Sequence, residues 1–476
     1  MTVPPIILSF GLDLRLGDHP ALHAAAASGA PVIPVYVLDD AAPGPWRRGG
    51  ASRWWLHGSL AALDTSLRGL GSKLILRRGN TLDELAALAA DTGARTVHIT
   101  RRYEPWAADL ETRMHRELPA RGMALRRFGG TLLFEPESVR TKTGEPYKVF
   151  TPFWRAAQSG PPPSPPRPAP RTLAAPHVWP RSERLSDLAL RPKSPDWAAG
   201  LRESWEPSEA NALKSLDRLL AGPIAAYPSD RDRPDRPGTS RLSPHLHFGE
   251  ISPATIWHNV HRHGADAAGS VKFLAEIGWR EFSYHLLSQF PGLPDKPFRA
   301  EFAGFPWRDD AAALKSWQRG MTGYPLVDAG MRQLRATGWM HNRVRMVAAS
   351  FLVKHLRIGW QHGAAWFWDN LVDADLASNS ASWQWVAGCG ADAAPYFRIF
   401  NPVKQGETFD PEGAYVRQWV PELARLPAAS IHATWQASAV DLSAAGIRLG
   451  REYPMPMVDH AEARQAALDA LRHMKG

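Results

Sequence analysis

The first 136 residues alternate between short β-branched runs and alanine-rich stretches, and this alternation constrains the fold more than any other feature. The runs expected to form buried strands lie at 6–10, 31–38, 73–76 and 95–100, and the helical stretches lie at 19–27, 52–70 and 82–92. Strands that alternate with helices assemble into a parallel sheet covered on both faces. Residues 1–136 are therefore predicted to form a doubly wound α/β domain. We find no glycine-rich phosphate loop of either familiar kind in it.

Residues 137–204 interrupt this pattern and are predicted to connect two domains. The segment 161–170 has the sequence PPPSPPRPAP, which can form neither a helix nor a central strand. Two arrangements are open, a disordered linker or a long loop packed on both domains. Trp154, Trp179 and Trp197 favour the packed loop, because large indole rings gain free energy when they are buried.

Residues 205–476 show helical periodicity and predict an all-helical domain. Nine of the chain's 20 tryptophans lie from Trp279 to Trp385. A large helical core would account for any one of them, but the arginines, asparagines and acids among them are unusual in an apolar core. An indole ring can also pass a single electron, or stack on an unpaired nucleobase. The tryptophans therefore indicate a functional site as well as a core.

The overall composition limits the functions that this chain can have. Its net charge of +9 favours a polyanionic partner. Cys389 is the only cysteine, so the chain can form neither an internal disulfide nor a cysteine zinc cluster, and we expect no metal site. No apolar run reaches the ~18 residues of a membrane span, and the first residues lack the features of a signal peptide. We expect a monomeric, cytoplasmic protein with no membrane partner.

Polar residues in the helical half predict a binding site. The segment 238–244, GTSRLSP, places two hydroxyls and an arginine before a probable helix. This arrangement suits a diphosphate, although similar clusters are ordinary helix caps. Further along the chain, Asp373 and Asp375 come about one helical turn before Asn379. These carboxylates and this amide could hold a polar heterocycle.

Two helical motifs combine charge with flat or soft side chains. Glu276, Trp279 and Arg280 share one helix face, which suits a base-binding wall better than a core. In the segment 338–346, GWMHNRVRM, the asparagine and the methionine share a face one turn apart. The two arginines of this segment point elsewhere and could contact phosphates.

These motifs resemble those of the photolyase/cryptochrome family, in the same order and over nearly the whole chain. The matching segments are 10–22, 51–60, 238–243, 339–346, 383–385 and 397–402. The resemblance implies an α/β antenna domain over 1–136, a connector over 137–204, and a helical domain over 205–476 that binds FAD and DNA. It also implies that the protein uses light to repair DNA.

The resemblance places a non-covalently bound FAD at the centre of the helical domain. Hydroxyls and arginines would hold its diphosphate, and the acids would hold the ribose or the edge of the ring. The residues at the corresponding positions are Tyr227, Thr239, Ser240, Arg241, Leu242, Ser243, Phe273, Arg280, Arg345, Asp373, Asp375 and Asn379.

The resemblance also assigns residues to DNA binding and to catalysis. A lesion flipped out of the duplex would stack on Trp279 and Trp385 while Glu276 holds a base edge. The residues expected to contact DNA are Arg231, Glu276, Trp279, Asn342, Arg343, Met346, Trp385 and Gln405, with Lys404 as a further phosphate contact. The residues expected to carry catalysis are Glu276, Asn379 and a tryptophan chain that runs from Trp383, nearest the flavin, through Trp360 to Trp307.

Three positions distinguish the branches of the family. Enzymes that repair the (6-4) photoproduct carry two histidines where this chain has Asn342 and Met346, because their reaction needs a proton donor there. DASH-type cryptochromes usually carry glutamine at the position of Met346, and plant-type photoreceptors usually carry aspartate at the position of Asn379. The residues of this chain predict repair of cyclobutane pyrimidine dimers (CPDs) in UV-damaged DNA, with an electron from reduced FAD.

Other functions and several antenna pigments remain open. The main alternative is a blue-light cryptochrome that binds FAD without repair, although such proteins usually carry a long variable tail, and we expect none beyond the segment 453–460. A generic flavin oxidoreductase would need a nicotinamide site, which we do not find. In the first domain we expect 5,10-methenyltetrahydrofolate, because segments 52–55 and 144–147 resemble the branch near plant cryptochromes. A deazaflavin, a second flavin or no pigment are the alternatives.

Overall fold

The computed structural model describes residues 3–264, 267–393 and 397–475. The strands are β1 Ile6–Phe10, β2 Val32–Leu38, β3 Ile75–Arg78, β4 Thr96–Thr100 and β5 Ala124–Phe128. They form a parallel sheet in the order β3-β2-β1-β4-β5. The four predicted strands are present, and β5 adds an edge strand that the sequence pattern did not indicate. The predicted α/β class is confirmed.

α-Helices alternate with these strands and continue along the chain to residue 289. They are α1 Pro20–Ala27, α2 Gly50–Gly69, α3 Thr81–Thr92, α4 Pro105–Glu117, α5 Phe150–Ser159, α6 Ala199–Ser204, α7 Glu209–Leu220, α8 Tyr227–Asp230, α9 Ser243–His247, α10 Pro253–Gly264 and α11 Ala268–Gln289. The three helices predicted between the strands correspond to α1, α2 and α3.

The rest of the described chain is helical, as predicted. Its α-helices are α12 Ala311–Arg319, α13 Pro325–Thr337, α14 Asn342–Ser350, α15 Trp360–Asn370, α16 Leu376–Ala387, α17 Pro402–Phe409, α18 Ala414–Trp419, α19 Ala428–Ile431, α20 Ala439–Ala445 and α21 His460–Lys475. A π-helical turn, Phe351–His355, follows α14. No helix among the described residues is both long and apolar enough to cross a bilayer.

The sheet core explains why the β-branched runs form strands. Ile7, Ile33 and Val97 are fully buried in one apolar cluster, and leucines of α3 pack into the same cluster. Parallel strands are covered on both faces, so their sequences are nearly continuous apolar runs. Local signals define α3, because the Asn80 side chain accepts from the N–H groups of its first turn and Gly93 ends it with a φ of 70°.

The connector is a packed loop rather than a disordered linker. Its backbone bonds to strand and loop residues of the first domain, for example from Asp18 N to Arg167 O at 2.7 Å and from Val32 N to Ala174 O at 2.8 Å. His258, on α10, bonds to Pro163 O. The expectation that all three connector tryptophans are buried is wrong for Trp197, which is 46% exposed.

The chain divides into two compact units whose limits cut across the sequence. The first unit comprises Met1–Gly222, Ser240–Pro291 and Val372–Asp375, and it contains the sheet. The second unit comprises Pro223–Thr239, Gly292–Leu371 and Leu376–Gly476, and it is helical where the structure describes it. The domain boundaries at residues 136 and 204 remain predictions from the sequence.

Candidate functional site

Asp375 is the centre of a polar cluster in the first unit. The Tyr284 hydroxyl, from α11, donates to Asp375 Oδ2 at 2.5 Å, and His247 Nδ1, from α9, lies 3.3 Å from the same oxygen. Burial alone would raise the pKa of Asp375, but His247, Arg280 and the Tyr284 hydroxyl hold it well below its usual range. Asp375 is therefore a carboxylate at neutral pH, and it can accept further hydrogen bonds from a ligand.

Arg280 supplies the buried positive charge of this cluster. Its Nη1 donates to Thr131 O at 3.0 Å and lies 3.2 Å from Glu281 Oε1, and its guanidinium lies over the Tyr284 ring at 4.8 Å. Burial would lower the pKa of Arg280, but Tyr284, Glu281 and Asp375 raise it. Burial also raises the pKa of Glu281 to about 7, against the opposing effects of Arg280 and two backbone N–H groups. The cluster thus holds groups of both charges out of water.

The segment around Ser243 contributes hydroxyls to the same unit. The Ser243 hydroxyl donates to Asp373 Oδ2 at 2.6 Å, and Asp373 is buried. Ser240 Oγ accepts from the N–H of Leu242, whose side chain is buried. The guanidinium of Arg241 lies 4.1 Å over the Trp205 ring. Ser240, Arg241, Ser243 and Asp373 therefore lie in one unit, and a hydrogen bond joins Ser243 to Asp373.

Helix α11 places the remaining site residues of the first unit. Phe273 is buried on this helix. Glu276 Oε1 lies 3.5 Å from the Lys272 ammonium, one turn earlier. Trp279 is half-buried, and its ring stacks on Phe150 of α5 with a centroid distance of 3.8 Å and an angle of 10°. Trp279 therefore has one face covered and part of its surface accessible.

In the second unit, α14 presents Asn342 and Met346 together. Asn342 is the first residue of the helix and is exposed, and its Nδ2 lies 3.9 Å from Met346 Sδ, one turn later. The helix begins there because the His341 side chain accepts from the Arg343 N–H. Burial lowers the pKa of His341 to about 4, so this imidazole is neutral at pH 7. The predicted placement of Asn342 and Met346 on one face is confirmed.

The two arginines of α14 both contact protein groups. Arg343 Nη2 forms an ion pair with Asp232 at 2.9 Å, and its guanidinium lies over the Phe409 ring at 4.3 Å. Arg345 Nε donates to Met340 O at 2.7 Å.

The second unit also holds Tyr227, Arg231 and Thr239, on or after α8, and Lys404 and Gln405, on α17. Arg231 follows α8 and lies over the ring of Tyr227, which is buried on that helix. Thr239 is half-buried, and Lys404 is exposed on α17. Gln405, also on α17, has a buried side-chain oxygen that accepts no hydrogen bond among the described residues.

Two of the three predicted electron-transfer tryptophans lie close to glycines that flank the third, Trp360, at the start of α15. Trp360 begins this helix, and the backbone of Gly363, one turn later, lies against the Trp383 ring so closely that a Cβ there would overlap it. A Cβ on Gly359, next to Trp360, would lie 3.9 Å from the Trp307 ring. Trp383 and Trp360 are buried, whereas Trp307 is partly exposed.

Helix α16 carries Asn379 and Trp385 as well as Trp383. Asn379 is buried, and its Nδ2 donates to Ala364 O at 3.1 Å. Trp385 is half-buried, with its indole N–H donating to Asp392 O at 3.1 Å and the Arg398 guanidinium 5.2 Å over its ring. Trp385 therefore has a fixed orientation and a partly accessible ring.

Sequence reasoning missed several partners of the site residues. Tyr284 could have been found, because it lies one helical turn beyond Arg280 on the same face. His247, Asp232 and Phe150 carry no comparable local signal, since each meets its partner through a long-range contact.

Comparison with known proteins assigns this chain to one protein family. Residues 7–171 match the family model described as DNA photolyase, and residues 273–473 match the FAD binding domain of DNA photolyase. The two matches cover most of the chain, which therefore belongs to the DNA photolyase family and carries its FAD-binding domain.

Individual relatives agree with this assignment. A deoxyribodipyrimidine photo-lyase of Agrobacterium fabrum is 51% identical over 474 residues, covering 99% of this chain and 98% of the relative. Cryptochrome-1 of Arabidopsis thaliana is 40% identical over 98% of this chain and 70% of its own length. The crystal structure of a bacterial class III photolyase from Agrobacterium tumefaciens is 50% identical, with a TM-score of 0.96 and coverage of 100% of this chain and 98% of that one. The family thus includes both repair enzymes and cryptochromes among the relatives of this chain.

Proposed function

We propose that this protein is a deoxyribodipyrimidine photo-lyase that splits CPDs in UV-damaged DNA with the energy of light. The relative of this name at 51% identity supports the enzyme class. The observation that supports the choice of substrate is the contact between Asn342 and Met346, one turn apart at the start of α14. A CPD can be split by an electron alone and needs no proton donor at that position, whereas the (6-4) photoproduct does.

The residues of the polar clusters fit an FAD. Asp375 is a buried carboxylate that holds its charge beside Arg280, and Ser243 and Asp373 form a second donor–acceptor pair. Buried groups of both charges suit a ligand that combines a polar ring, a ribitol chain and a diphosphate. We propose that the residues holding it are Tyr227, Thr239, Ser240, Arg241, Leu242, Ser243, Phe273, Arg280, Arg345, Asp373, Asp375 and Asn379. When bound and reduced, FAD supplies the light-driven electron for dimer splitting.

The protein's own side chains bind and orient the lesion. Trp279 and Trp385 each offer a partly accessible ring on which an extruded base can stack. Glu276 would accept hydrogen bonds from a base edge, and Asn342 and Met346 would contact the dimer. We propose that Arg231, Arg343, Lys404 and Gln405 contact the DNA strand around it.

Trp307, Trp360 and Trp383 would provide an electron path from the surface to the buried part of the second unit. The Trp383 ring lies against Gly363 and the Trp307 ring near Gly359, on either side of Trp360 along the chain, and this placement supports the order. The partial exposure of Trp307 supports its position at the outer end, where an external reductant can reach it.

A cryptochrome without repair activity is the second candidate, because cryptochromes of plants are among the relatives. A monomeric, cytoplasmic enzyme and a methenyltetrahydrofolate antenna remain part of our proposal, and the absorption spectrum of the purified protein would test the antenna.

The deciding experiment measures CPD splitting by the purified protein. The chemically reduced holoprotein is illuminated with an oligonucleotide that contains one CPD, and restored pyrimidines are quantified. A parallel sample contains a (6-4) photoproduct. We expect splitting of the CPD alone. Absence of CPD splitting by protein with a full complement of reduced FAD would refute the proposal and favour the cryptochrome.

A further inference from the structure

A stack of three aromatic rings in the first unit ends at Trp279. Phe150 and Trp154 lie one turn apart on α5, and their rings are nearly parallel, at 12° with centroids 6.4 Å apart. Phe150 in turn stacks on Trp279 at 3.8 Å and 10°. The three rings therefore lie in nearly parallel planes, with Phe150 in the middle.

The inner end of this stack is fixed in the core. Trp154 lies on the backbone of Gly278, where a Cβ would come within 2.6 Å of the indole ring. Edge-on contacts with Phe134 and Trp257 hold the other sides of Trp154. Because Gly278 precedes Trp279, the aromatic pair of α5 contacts two consecutive residues of α11. The position of Trp279 relative to the core is therefore set by α5.

The outer end of the stack, at Trp279, is partly accessible to solvent. Phe150 is buried, whereas Trp279 is only half-buried. One face of the Trp279 ring is covered by Phe150, and an edge-on contact with Phe282 restrains it further. A flat ligand that stacks on the accessible part of the Trp279 ring would extend this set of nearly parallel rings. Stacking on a ring that is already held costs less side-chain entropy than stacking on a mobile one.

We infer that Phe150 is a positioning residue for the lesion. It holds the Trp279 ring in the orientation in which a base of the lesion can stack on it, and so it orders the lesion indirectly. This inference rests on the proposed function, because it concerns the same DNA lesion. Phe150 does not touch the DNA itself. Loss of its ring should therefore weaken binding of CPD-containing DNA while leaving binding of undamaged DNA and of FAD unchanged.

The test compares Phe150→Leu with Phe153→Leu in the FAD-loaded protein. Phe153 lies on the same helix and is also buried, but its ring contacts Phe282, His285 and Tyr147 rather than Trp279. Equilibrium binding is measured in the dark with an oligonucleotide that contains one CPD and with its undamaged counterpart. Phe150→Leu should lower the preference for the CPD about three- to tenfold, the range expected for one aromatic pair. Phe153→Leu should leave this preference unchanged.

A double-mutant cycle separates positioning from general packing. With Trp279→Ala present, adding Phe150→Leu should cause no further loss of CPD preference. Phe150→Tyr, which keeps the flat ring, should retain the wild-type preference. Phe150→Met keeps the volume without the ring and provides the same comparison if the leucine variant does not fold.

The outcomes distinguish this inference from the proposed function. A wild-type protein that binds both DNAs equally would overturn both. A wild-type preference for the CPD that survives Phe150→Leu, or that Phe153→Leu lowers equally, would overturn the positioning role alone. An additive effect of Phe150→Leu on Trp279→Ala would do the same.

Discussion

Burial separates the tryptophans that could serve electron transfer from those that could serve base stacking. Trp360 and Trp383 are almost completely enclosed, so neither can meet DNA directly. Trp279 and Trp385 keep part of their rings accessible, and each is oriented by a neighbour. The same residue type therefore occupies two environments, and each environment suits one of the two roles that the sequence predicted.

Replacing Trp383 with phenylalanine tests the electron path at a single residue. Phenylalanine fills similar space but is much harder to oxidise, so we expect FAD to bind and the chemically reduced variant to split CPDs. Photoreduction of the bound flavin should slow at least about tenfold, which corresponds to ~1.4 kcal/mol on the barrier. The measurement is the loss of oxidised-flavin absorbance under illumination. Trp317→Phe, an equally buried neighbour outside the proposed path, serves as the control, and wild-type photoreduction in Trp383→Phe would rule out the path.

A buried histidine should make the fold sensitive to acid. Burial, with the nearby charge of Arg140, lowers the pKa of His285 to about 4 from an ordinary value of 6.5. The unfolded chain therefore takes up a proton below about pH 6.5 that the folded chain does not, so stability is present above that pH and is lost as the pH falls towards 4. At pH 5 the loss amounts to about 2 kcal/mol for this residue.

His285→Leu should remove this part of the pH dependence. Apparent unfolding midpoints in urea are measured at pH 7 and pH 5 for the wild type, for His285→Leu and for His473→Leu, which replaces an exposed histidine. The midpoint of His285→Leu should fall less on acidification than the other two. Equal falls in all three proteins would show that His285 does not titrate in this range.

At the scale of elements, the sequence predicted those strands and helices whose side chains have one dominant environment. The β-branched runs of β1 and β2 are covered on both faces, so their position follows from composition alone. The edge strand β5 has the sequence ALRRF, and most of its side chains are exposed. An edge strand with two arginines has no apolar alternation to detect, and arginine there limits pairing with other chains.

The candidate site was predictable where its residues lie within one or two helical turns. The spacing of Asn342 and Met346 was sufficient to place them together. By contrast, Tyr284 and His247 reach Asp375 across 91 and 128 residues of sequence. No local sequence pattern predicts these two contacts with Asp375, because they depend on how the elements pack.

The close packing of α15 against α16 gives a prediction for a pair of helices. A Cβ at Gly363 would overlap the Trp383 ring, so Gly363→Ala should force the ring or the helix to move. We expect a loss of about 1–3 kcal/mol in stability, as for other overpacked cores, together with slower flavin photoreduction. Gly304→Ala is the control, since a Cβ there meets no atom within 4 Å. A Gly363→Ala protein as stable as the control would show that the helices have room to separate.

At the scale of the whole molecule, the net charge of +9 should govern how the protein meets DNA. Each phosphate contact that releases a counterion adds about 0.9 to the slope of log affinity against log salt concentration. Damaged and undamaged DNA share the same backbone, so their slopes should be similar while their affinities differ. Lys404, exposed on α17, is the simplest contact to remove, because Arg343 is already paired with Asp232.

Lys404→Gln should therefore reduce the salt slope by about 1 for both DNAs and leave the preference for the CPD unchanged. Lys315→Gln makes the same change of charge at an exposed position on α12 that the proposed DNA contacts do not include. Binding is measured by fluorescence anisotropy at several salt concentrations. If the two substitutions lower the slope equally, the overall charge of the protein, rather than a contact at Lys404, sets the salt dependence. If Lys404→Gln instead lowers the CPD preference, this lysine orients the lesion and does more than hold the backbone.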